Sequence, residues 1–187
     1  MNKFNFPFLG VIFFLITHSV SAQKIFLKAD DLTNGASTID RYSDYAEISS
    51  LQFGGSSTMS LTQGTGGGVG KSDFREIIIT KNVDISSNKF LDKMAKGQFI
   101  SLIEIVSTIN SGGPKVVHKI ELKDAYVTNI SSSTVQGCTG NCPAIAESYS
   151  FKYRAIRITT FSVNSNGSVV ANPDPFVFNV VTNTSTF

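Results

Sequence analysis

The sequence predicts a mainly β protein, an antiparallel β-barrel or a sandwich of two sheets with one short α-helix at residues 86–96. Roughly seven to nine short segments have strand-like patterns, and glycine-rich or asparagine-rich turns separate them. The composition agrees with this class, because 15 phenylalanines accompany many β-branched residues and 15 glycines are available for turns. The helix is the one convincing stretch with a helical period.

Four strands are predicted before the helix. In the first, Ile25 and Leu27 alternate with charged or aromatic residues, and Asn34-Gly35 signals the turn that follows. In the fourth, three successive isoleucines at 77–79 favour a strand that is buried on both faces. The predicted ranges are 24–29, 46–53, 58–63 and 73–81.

The predicted helix has one apolar stripe, which consists of Phe90, Leu91, Met94 and Ala95. Ser86 or Ser87 can cap its N-terminus, Lys93 and Lys96 suit the negative end of its dipole, and Gly97 can take the left-handed conformation that ends it. A lone helix among strands is expected to close the mouth of a barrel or to brace its side.

Five strands are predicted after the helix. Residues 99–109 are apolar on both faces. Residues 115–122 and 125–130 are expected to pair with each other across a turn. The longest strand, 147–160, places Tyr149, Phe151 and Tyr153 on one face. Phe176, Phe178 and Val180 mark a closing strand.

Residues 1–22 have the pattern of a signal peptide. Lys3 provides a basic start, residues 6–17 form a short apolar core, and the tripeptide Val-Ser-Ala that ends at Ala22 is a small-residue cleavage site. A retained membrane anchor is the alternative, although the core is shorter than the roughly 20 apolar residues that span a bilayer. Cleavage between Ala22 and Gln23 leaves 187 − 22 = 165 residues, and we predict that 23–187 is a single domain without a membrane segment.

The charge balance gives no sign of an electrostatic partner. The chain has 16 basic and 14 acidic residues, and its net charge of +2 falls to +1 when Lys3 is removed. Neither a basic run nor a basic stripe with interleaved aromatic residues is present. Nucleic acid and anionic membrane surfaces are therefore not expected partners.

Several short motifs occur together in a characteristic order and spacing. They are Tyr42-Ser43-Asp44-Tyr45, Glu47-Ile48, the glycine run 66–70 with Lys71, Phe74, Thr80-Lys81, Asp84-Ile85-Ser86, the short helix and its Gly97 stop. In this order they resemble the Hcp (hemolysin-coregulated protein) family, the tube subunits of bacterial type VI secretion. The similarity extends over nearly the whole mature chain.

The resemblance implies a β-barrel of two antiparallel sheets with a side helix, whose copies close head to tail into hexameric rings. Such rings stack into a hollow tube, and spike or effector proteins of the secretion system are further expected partners. The resemblance implies no enzymatic activity. The chain departs from the family pattern at Tyr45, Asn88 and Phe178-Asn179, where Trp, Pro and Trp-Asp are usual, and in carrying an export signal.

The glycine-rich segment 65–72, TGGGVGKS, is one glycine short of a phosphate-binding loop. Thr65 stands where the first glycine belongs, and a strand rather than a helix follows, so nucleotide binding is not expected. Glycines instead give a flexible loop. We predict that this loop contacts a neighbouring subunit through Gly66, Gly67, Gly68, Val69, Gly70 and Lys71.

The histidine and cysteine residues give no catalytic or metal-binding signature. His118, the only histidine of the mature chain, alternates with apolar residues and is expected to be a partly buried structural residue. Two cysteines alone make a poor zinc site. In an exported chain Cys138 and Cys142 are expected to form a disulfide, because the three residues between them can turn tightly.

The sequence therefore predicts a non-enzymatic barrel without a cofactor, exported to the periplasm or secreted, that acts by self-association. Its contacts are expected at residues 64–71 and at the edges of the long strands, since strand 99–109 has more apolar surface than one barrel buries. A monomeric exported binding module is the alternative, with Tyr149, Phe151 and Tyr153 lining a ligand pocket. A toxin whose activity no motif reveals is a third class.

Exported protein should contain a disulfide between Cys138 and Cys142. Non-reducing peptide mapping should find both cysteines in one linked species, because an oxidising compartment favours the bond and the spacing permits its geometry. In the matched variant Cys138→Ser, Cys142 should become available to alkylation. Free thiols at both positions in exported wild-type protein would refute the bond.

Overall fold

Eleven strands and one helix make up the part of the chain that the computed structural model describes, residues 23–59, 69–110, 113–134 and 145–187. The mainly β class with one helix is confirmed. In chain order the elements are β1 (Lys24–Ala29), β2 (Ala46–Gln52), β3 (Gly55–Met59), β4 (Val69–Phe74), β5 (Ile77–Asn82), α1 (Ser87–Ala95), β6 (Ile100–Asn110), β7 (Pro114–Thr134), β8 (Ile145–Lys152), β9 (Ala155–Val163), β10 (Val169–Ala171) and β11 (Phe176–Asn179).

Six of these strands close into an antiparallel barrel. Their order is β7-β6-β1-β2-β5-β8, and β8 pairs back onto β7. The remaining strands lie outside this closed ring. β9 continues the sheet from β7 and carries β10 and β11 on its other edge, whereas β3 and β4 form a separate two-stranded hairpin.

The barrel interior is filled by large apolar side chains that alternate along the strands. Phe90 of α1 joins this core from outside the sheet, and its ring centroid lies 5.2 Å from that of Tyr149 and 6.0 Å from that of Phe151. The helix therefore packs against the barrel core through Phe90. The fully buried strand residues of the core include Leu27, Ile77, Ile79, Ile103, Ile105, Ile120, Leu122, Tyr149, Phe151 and Ile156.

The helix is confirmed within one residue at each end, and Gly97 follows it with a φ of +61°. Its details differ from the prediction. Ser86 occupies the N-cap position without a side-chain cap bond, since its hydroxyl donates to Asp84 instead. Leu91 lies outside the buried stripe and is 49% exposed. The contact with the core therefore depends on Phe90, with Met94 partly buried beside it.

The predicted turn between residues 122 and 125 is wrong, because β7 runs without interruption for 21 residues. The predicted single strand 147–160 is also wrong, because it breaks between β8 and β9. The two differences have one cause. β7 bends at Asp124, whose φ is +48°, and the opposing chain breaks at Tyr153 and Arg154, where the Arg154 amide donates to the Lys123 carbonyl. The sheet thus changes direction at Asp124, opposite the break between β8 and β9.

Three smaller predictions also need correction. The predicted strand 73–81 is two strands, β4 and β5, and the predicted strand 58–63 begins earlier, at Gly55. The short strand β10 is not predicted at all. Residues 77–79 are not buried on both faces, because Ile77 and Ile79 are fully buried while Ile78 points outward and is half-buried.

A fully buried lysine joins β5, β8 and the start of α1. Lys81 Nζ lies 2.8 Å from Asp84 Oδ1 and 3.4 Å from Glu147 Oε2, and it donates to Ser87 Oγ at 3.0 Å. Glu147 Oε2 also accepts hydrogen bonds of 2.6 Å from Ser87 Oγ and from the Tyr149 hydroxyl. We call these five residues the Lys81 network. Every charge in it is paired, which is the condition under which a protein interior tolerates charge.

The network controls the ionisation of its members. Burial by itself would raise the pKa of Glu147, but hydrogen bonds from Ser87 and Tyr149 and the charge of Lys81 hold that pKa below its ordinary value of 4.5. Burial, and then the hydrogen bond to Glu147, raise the pKa of the Tyr149 hydroxyl. Glu147 is therefore a carboxylate, and Tyr149 a neutral donor, at neutral pH.

Replacing the buried lysine should destabilise the barrel. In Lys81→Met the carboxylates of Asp84 and Glu147 lose their cation, and the free energy of unfolding in urea should fall by about 3–5 kcal/mol. The matched control is Lys152→Met, which changes an exposed lysine of β8 and should cost less than about 0.5 kcal/mol. Equal losses in the two variants would contradict a structural role for the network.

The stability that Glu147 contributes should depend on pH. Because its pKa is lower in the folded state, the unfolded chain binds the proton more readily between the two values, and stability rises with pH there. The difference in unfolding free energy between wild type and Glu147→Gln should therefore be constant above pH 4.5 and shrink as pH falls below it. Urea titrations at successive pH values measure it, and a difference independent of pH would contradict the assignment.

Candidate self-association surface

The predicted contact loop lies in and beside the β3–β4 hairpin. Gly66, Gly67 and Gly68 fall outside the described residues. The backbone of Val69, Gly70 and Lys71 is not a loop but the beginning of β4, where Val69 pairs with Met59. The hairpin does not pair with the other described strands, so its attachment depends on side chains at its base.

An aromatic cluster fixes the base of the hairpin to β11. The Phe74 ring centroid lies 6.2 Å from that of Phe53, 5.7 Å from that of Phe176 and 4.9 Å from that of Phe178. Gly55 is packed so closely that a Cβ atom there would lie 3.1 Å from the Phe74 ring. The base of the hairpin therefore has a defined position on the barrel.

The outer face of β1 and β6 is covered by the chain itself. The Phe26 and Tyr42 rings stack with centroids 4.0 Å apart, and Val106 of β6 packs beside them with 3% exposure. Strand β6 is thus buried on both faces at its centre, but its outer residue Val106 already has a partner in the same molecule. The apolar surface that needs a second molecule is smaller than the sequence indicates.

Charged groups cover the next part of the outer face. Glu104 of β6 accepts a 2.6 Å hydrogen bond from the Tyr45 hydroxyl and lies 3.5 Å from Lys119 Nζ. Lys119 also pairs with Glu121 at 3.3 Å, and Glu121 pairs with Arg157 of β9 at 3.5 Å. These partly exposed pairs run across β6, β7 and β9. Their mutual pairing leaves no single sign of charge to attract a ligand.

One exposed apolar patch lies where β6 begins beside the middle of β7. Phe99 is 47% exposed and Tyr126 is 45% exposed, and their ring centroids are 6.1 Å apart. We call Phe99 and Tyr126 the β6–β7 patch. Leu102, three residues after Phe99, is 38% exposed and lies near Tyr45 and Glu104.

A second exposed patch lies where β5 ends beside the start of β8. The Val83 amide donates to the Ile145 carbonyl at 3.2 Å, and both side chains are exposed on this edge together with Ile85. We call these three residues the β5–β8 patch. Its side chains are all aliphatic, whereas the β6–β7 patch contains two aromatic rings. The two surfaces therefore differ in chemical character.

The two patches lie near opposite ends of one strand ladder. Tyr126 of the first pairs with Lys152, and Ile145 of the second pairs with Thr134, eight residues further along β7. At about 3.3 Å per residue the two ends are roughly 25 Å apart. Head-to-tail association joins two unlike surfaces of a subunit, and the two patches meet that condition.

The structure also describes His118 and the three aromatic residues that the sequence predicts for a ligand pocket. His118 is half-buried in β7, where it pairs with Ser107 and Thr160, and burial lowers its pKa. Tyr149 and Phe151 are fully buried in the core, so they do not line the open pocket that the binding-module alternative needs. Tyr153 is 6% exposed and lies at the edge of a surface cleft with Asp124 and Tyr126.

Two further predictions cannot be placed on the structure. Cys138, Cys142 and Ala22 lie outside the described residues, whereas Gln23 is the first of them and is exposed. Within residues 23–59, 69–110, 113–134 and 145–187 there is no group of three potential metal ligands. No helix of the same ranges is long and apolar enough to cross a membrane.

The sequence did not reveal the two patches or the Lys81 network. Phe99, Tyr126 and Leu102 look like ordinary strand residues, and Lys81 looks like the polar end of a strand. Their positions depend on the pairing of β6 with β7 and of β5 with β8, which links residues far apart in the chain. The one local signal was the excess of apolar residues in strand 99–109, which does extend to the exposed Phe99 and Leu102.

Comparison with known families and structures gives a consistent result. Residues 26–160 match the family model described as "Type VI secretion system effector, Hcp". No curated protein sequence gives a significant match. The match to the family model covers well over half of the chain.

Solved structures share the fold at low sequence identity. A structure described as a type six secretion system protein is 22% identical, with a TM-score of 0.76 over 87% of this chain and 99% of that one. Hcp1 from Salmonella typhimurium is 18% identical, with a TM-score of 0.63 over 87% and 98%. The secreted protein Hcp3 from Pseudomonas aeruginosa is 16% identical, with a TM-score of 0.54 over 81% and 98%.

Proposed function

The chain belongs to the Hcp family of type VI secretion proteins, and from this premise we propose that it is a structural subunit that associates head to tail into six-membered rings. The observation that carries the proposal is the pair of unlike apolar patches at opposite ends of the β7–β8 ladder. In the proposed ring the β6–β7 patch of one copy packs against the β5–β8 patch of the next.

A head-to-tail contact explains why the patches differ. A two-fold dimer buries the same surface on both partners, whereas a ring buries one surface on one side of each subunit and another on the opposite side. Association along these edges removes Phe99, Tyr126, Val83 and Ile85 from water at every contact. The small net charge of the mature chain opposes such association only weakly.

The β3–β4 hairpin suits a second kind of contact. Its base is fixed by Phe74 and the surrounding phenylalanines, and the last three of the glycine-rich residues 66–71 begin β4. We assign this segment to a neighbouring subunit, either in the same ring or in a ring stacked upon it. Stacked rings form a tube, whose further partners are spike or effector proteins of the secretion system.

The proposed location follows from residues 1–22 and from the family. A signal peptide cleaved at Ala22 delivers the chain to the periplasm or to the outside of the cell, where a disulfide between Cys138 and Cys142 can persist. The proposed role is not enzymatic and needs no cofactor, since a tube subunit acts by self-association. The alternative, a monomeric binding module, would leave both apolar patches exposed to water.

Residues 23–187 should sediment as a hexamer or its multiples at micromolar concentration. Phe99→Lys and Val83→Lys each place a charge in one patch, and each should weaken a contact by about 3 kcal/mol, roughly a hundredfold in affinity. The double variant Phe99→Lys/Val83→Glu should recover part of the lost association, because opposite charges then meet across the contact. Analytical ultracentrifugation measures each mass.

The matched control for these variants is Val170→Lys in β10, which is equally exposed but lies away from both patches. Its mass should equal that of wild type, and circular dichroism should show the same sheet content in all variants. Gly67→Asp should weaken stacking or ring closure without unfolding the barrel. A wild-type monomer that persists at high concentration would refute the ring and favour the binding module.

A further inference from the structure

The exposed residue Gln23 immediately precedes β1, the first strand of the barrel. The strand ladder begins one residue later, where Lys24 pairs with Thr108. The Gln23 side chain is exposed. It therefore has the rotational freedom to fold back on its own main chain.

We propose that the mature chain begins with pyroglutamate at position 23, an inference that rests on the proposed cleavage between Ala22 and Gln23. Cleavage makes the Gln23 nitrogen a primary amine. In its unprotonated form, roughly a tenth of the molecules at neutral pH, this nitrogen attacks the side-chain carbon Cδ.

The reaction needs no further reagent. A bond forms between the main-chain nitrogen and Cδ, the bond between Cδ and Nε2 breaks, and Nε2 leaves as ammonia with a proton from the attacking amine. The product is a five-membered lactam. It is an uncharged N-terminus, as N-terminal acylation also produces.

The lactam protects a strand that the barrel cannot lose. β1 lies between β6 and β2, and its Phe26 and Leu27 are fully buried. An aminopeptidase acting on a free Gln23 would reach Lys24 after one cut and would then remove residues that pair on both edges of β1. A lactam has no free α-amine for such an enzyme to bind. It also removes a positive charge beside the 3.3 Å ion pair of Lys24 with Glu47.

Intact-mass analysis of protein exported by its native host tests the inference. The expected mass is that of residues 23–187 less one ammonia, in addition to the change caused by any disulfide. Digestion with Asp-N, which cuts before Asp30, should give a peptide of residues 23–29 that has lost ammonia and resists Edman degradation. An isotope-labelled synthetic peptide of the same sequence, added at lysis, reports cyclisation during sample handling.

Two variants serve as controls in the same host. Gln23→Ala removes the side-chain amide, so it should carry a free amine and lose N-terminal residues faster when treated with an aminopeptidase. Gln23→Glu should retain most of its free amine, because a carboxylate is a poorer acyl donor than an amide. Loss of ammonia in the wild-type protein beyond that of the added peptide supports the inference.

Contrary outcomes separate the inference from the proposed export. A mature chain that begins at Gln23 with a free amine overturns the pyroglutamate and leaves the cleavage intact. A chain that begins at Met1, or at any residue other than 23, overturns both.

Discussion

The two edges of β7 are the constraint on which the rest of the barrel depends. Backbone groups in a protein interior must be hydrogen bonded, and β7 meets this demand over 21 residues. One edge pairs with β6, while the other pairs first with β9 and then with β8. Pairing of β7 with β8 closes the six-stranded barrel, whereas pairing of β7 with β9 extends the sheet beyond it. The bend at Asp124 marks the change, and the same ladder sets the spacing of the two exposed patches.

Elements that short-range chemistry determines could be predicted from the sequence. The range of β1 matches its prediction because Ile25 and Leu27 alternate with charged or aromatic residues and the Asn34-Gly35 turn follows. The helix is found within one residue at each end because Gly97 provides a backbone conformation that other residues avoid. The barrel class follows from many short strands with one helix, a pattern that few other folds share. The order and spacing of several short motifs were sufficient to predict the family.

Features that depend on pairing between distant residues could not be predicted. The alternation of apolar and polar residues is compatible both with the observed continuous β7 beside a broken β8–β9 and with the predicted break at 122–125 beside an unbroken strand 147–160. Only the pairing register between these strands decides which of the two forms. Lys81 is polar in sequence but fully buried in the structure, because Asp84 and Glu147 arrive from other elements to pair with it. The candidate contact surface has the same limitation. The glycine-rich loop was predicted from the flexibility of its glycines, whereas the two patches could be found only in the assembled ladder.

The Lys81 network has a consequence for the order in which the molecule can fold. Ser87, in the first turn of α1, hydrogen bonds to Glu147, which lies 60 residues later in the chain. The first turn therefore gains this buried partner only after Glu147 has been synthesised. A nascent chain that emerges from its N-terminus can thus pair β1 with β2 and β6, but it cannot seat the helix until β8 has been synthesised. Such long-range closure slows folding. In a chain that is exported as we propose, delayed closure would lengthen the interval before the folded barrel can form.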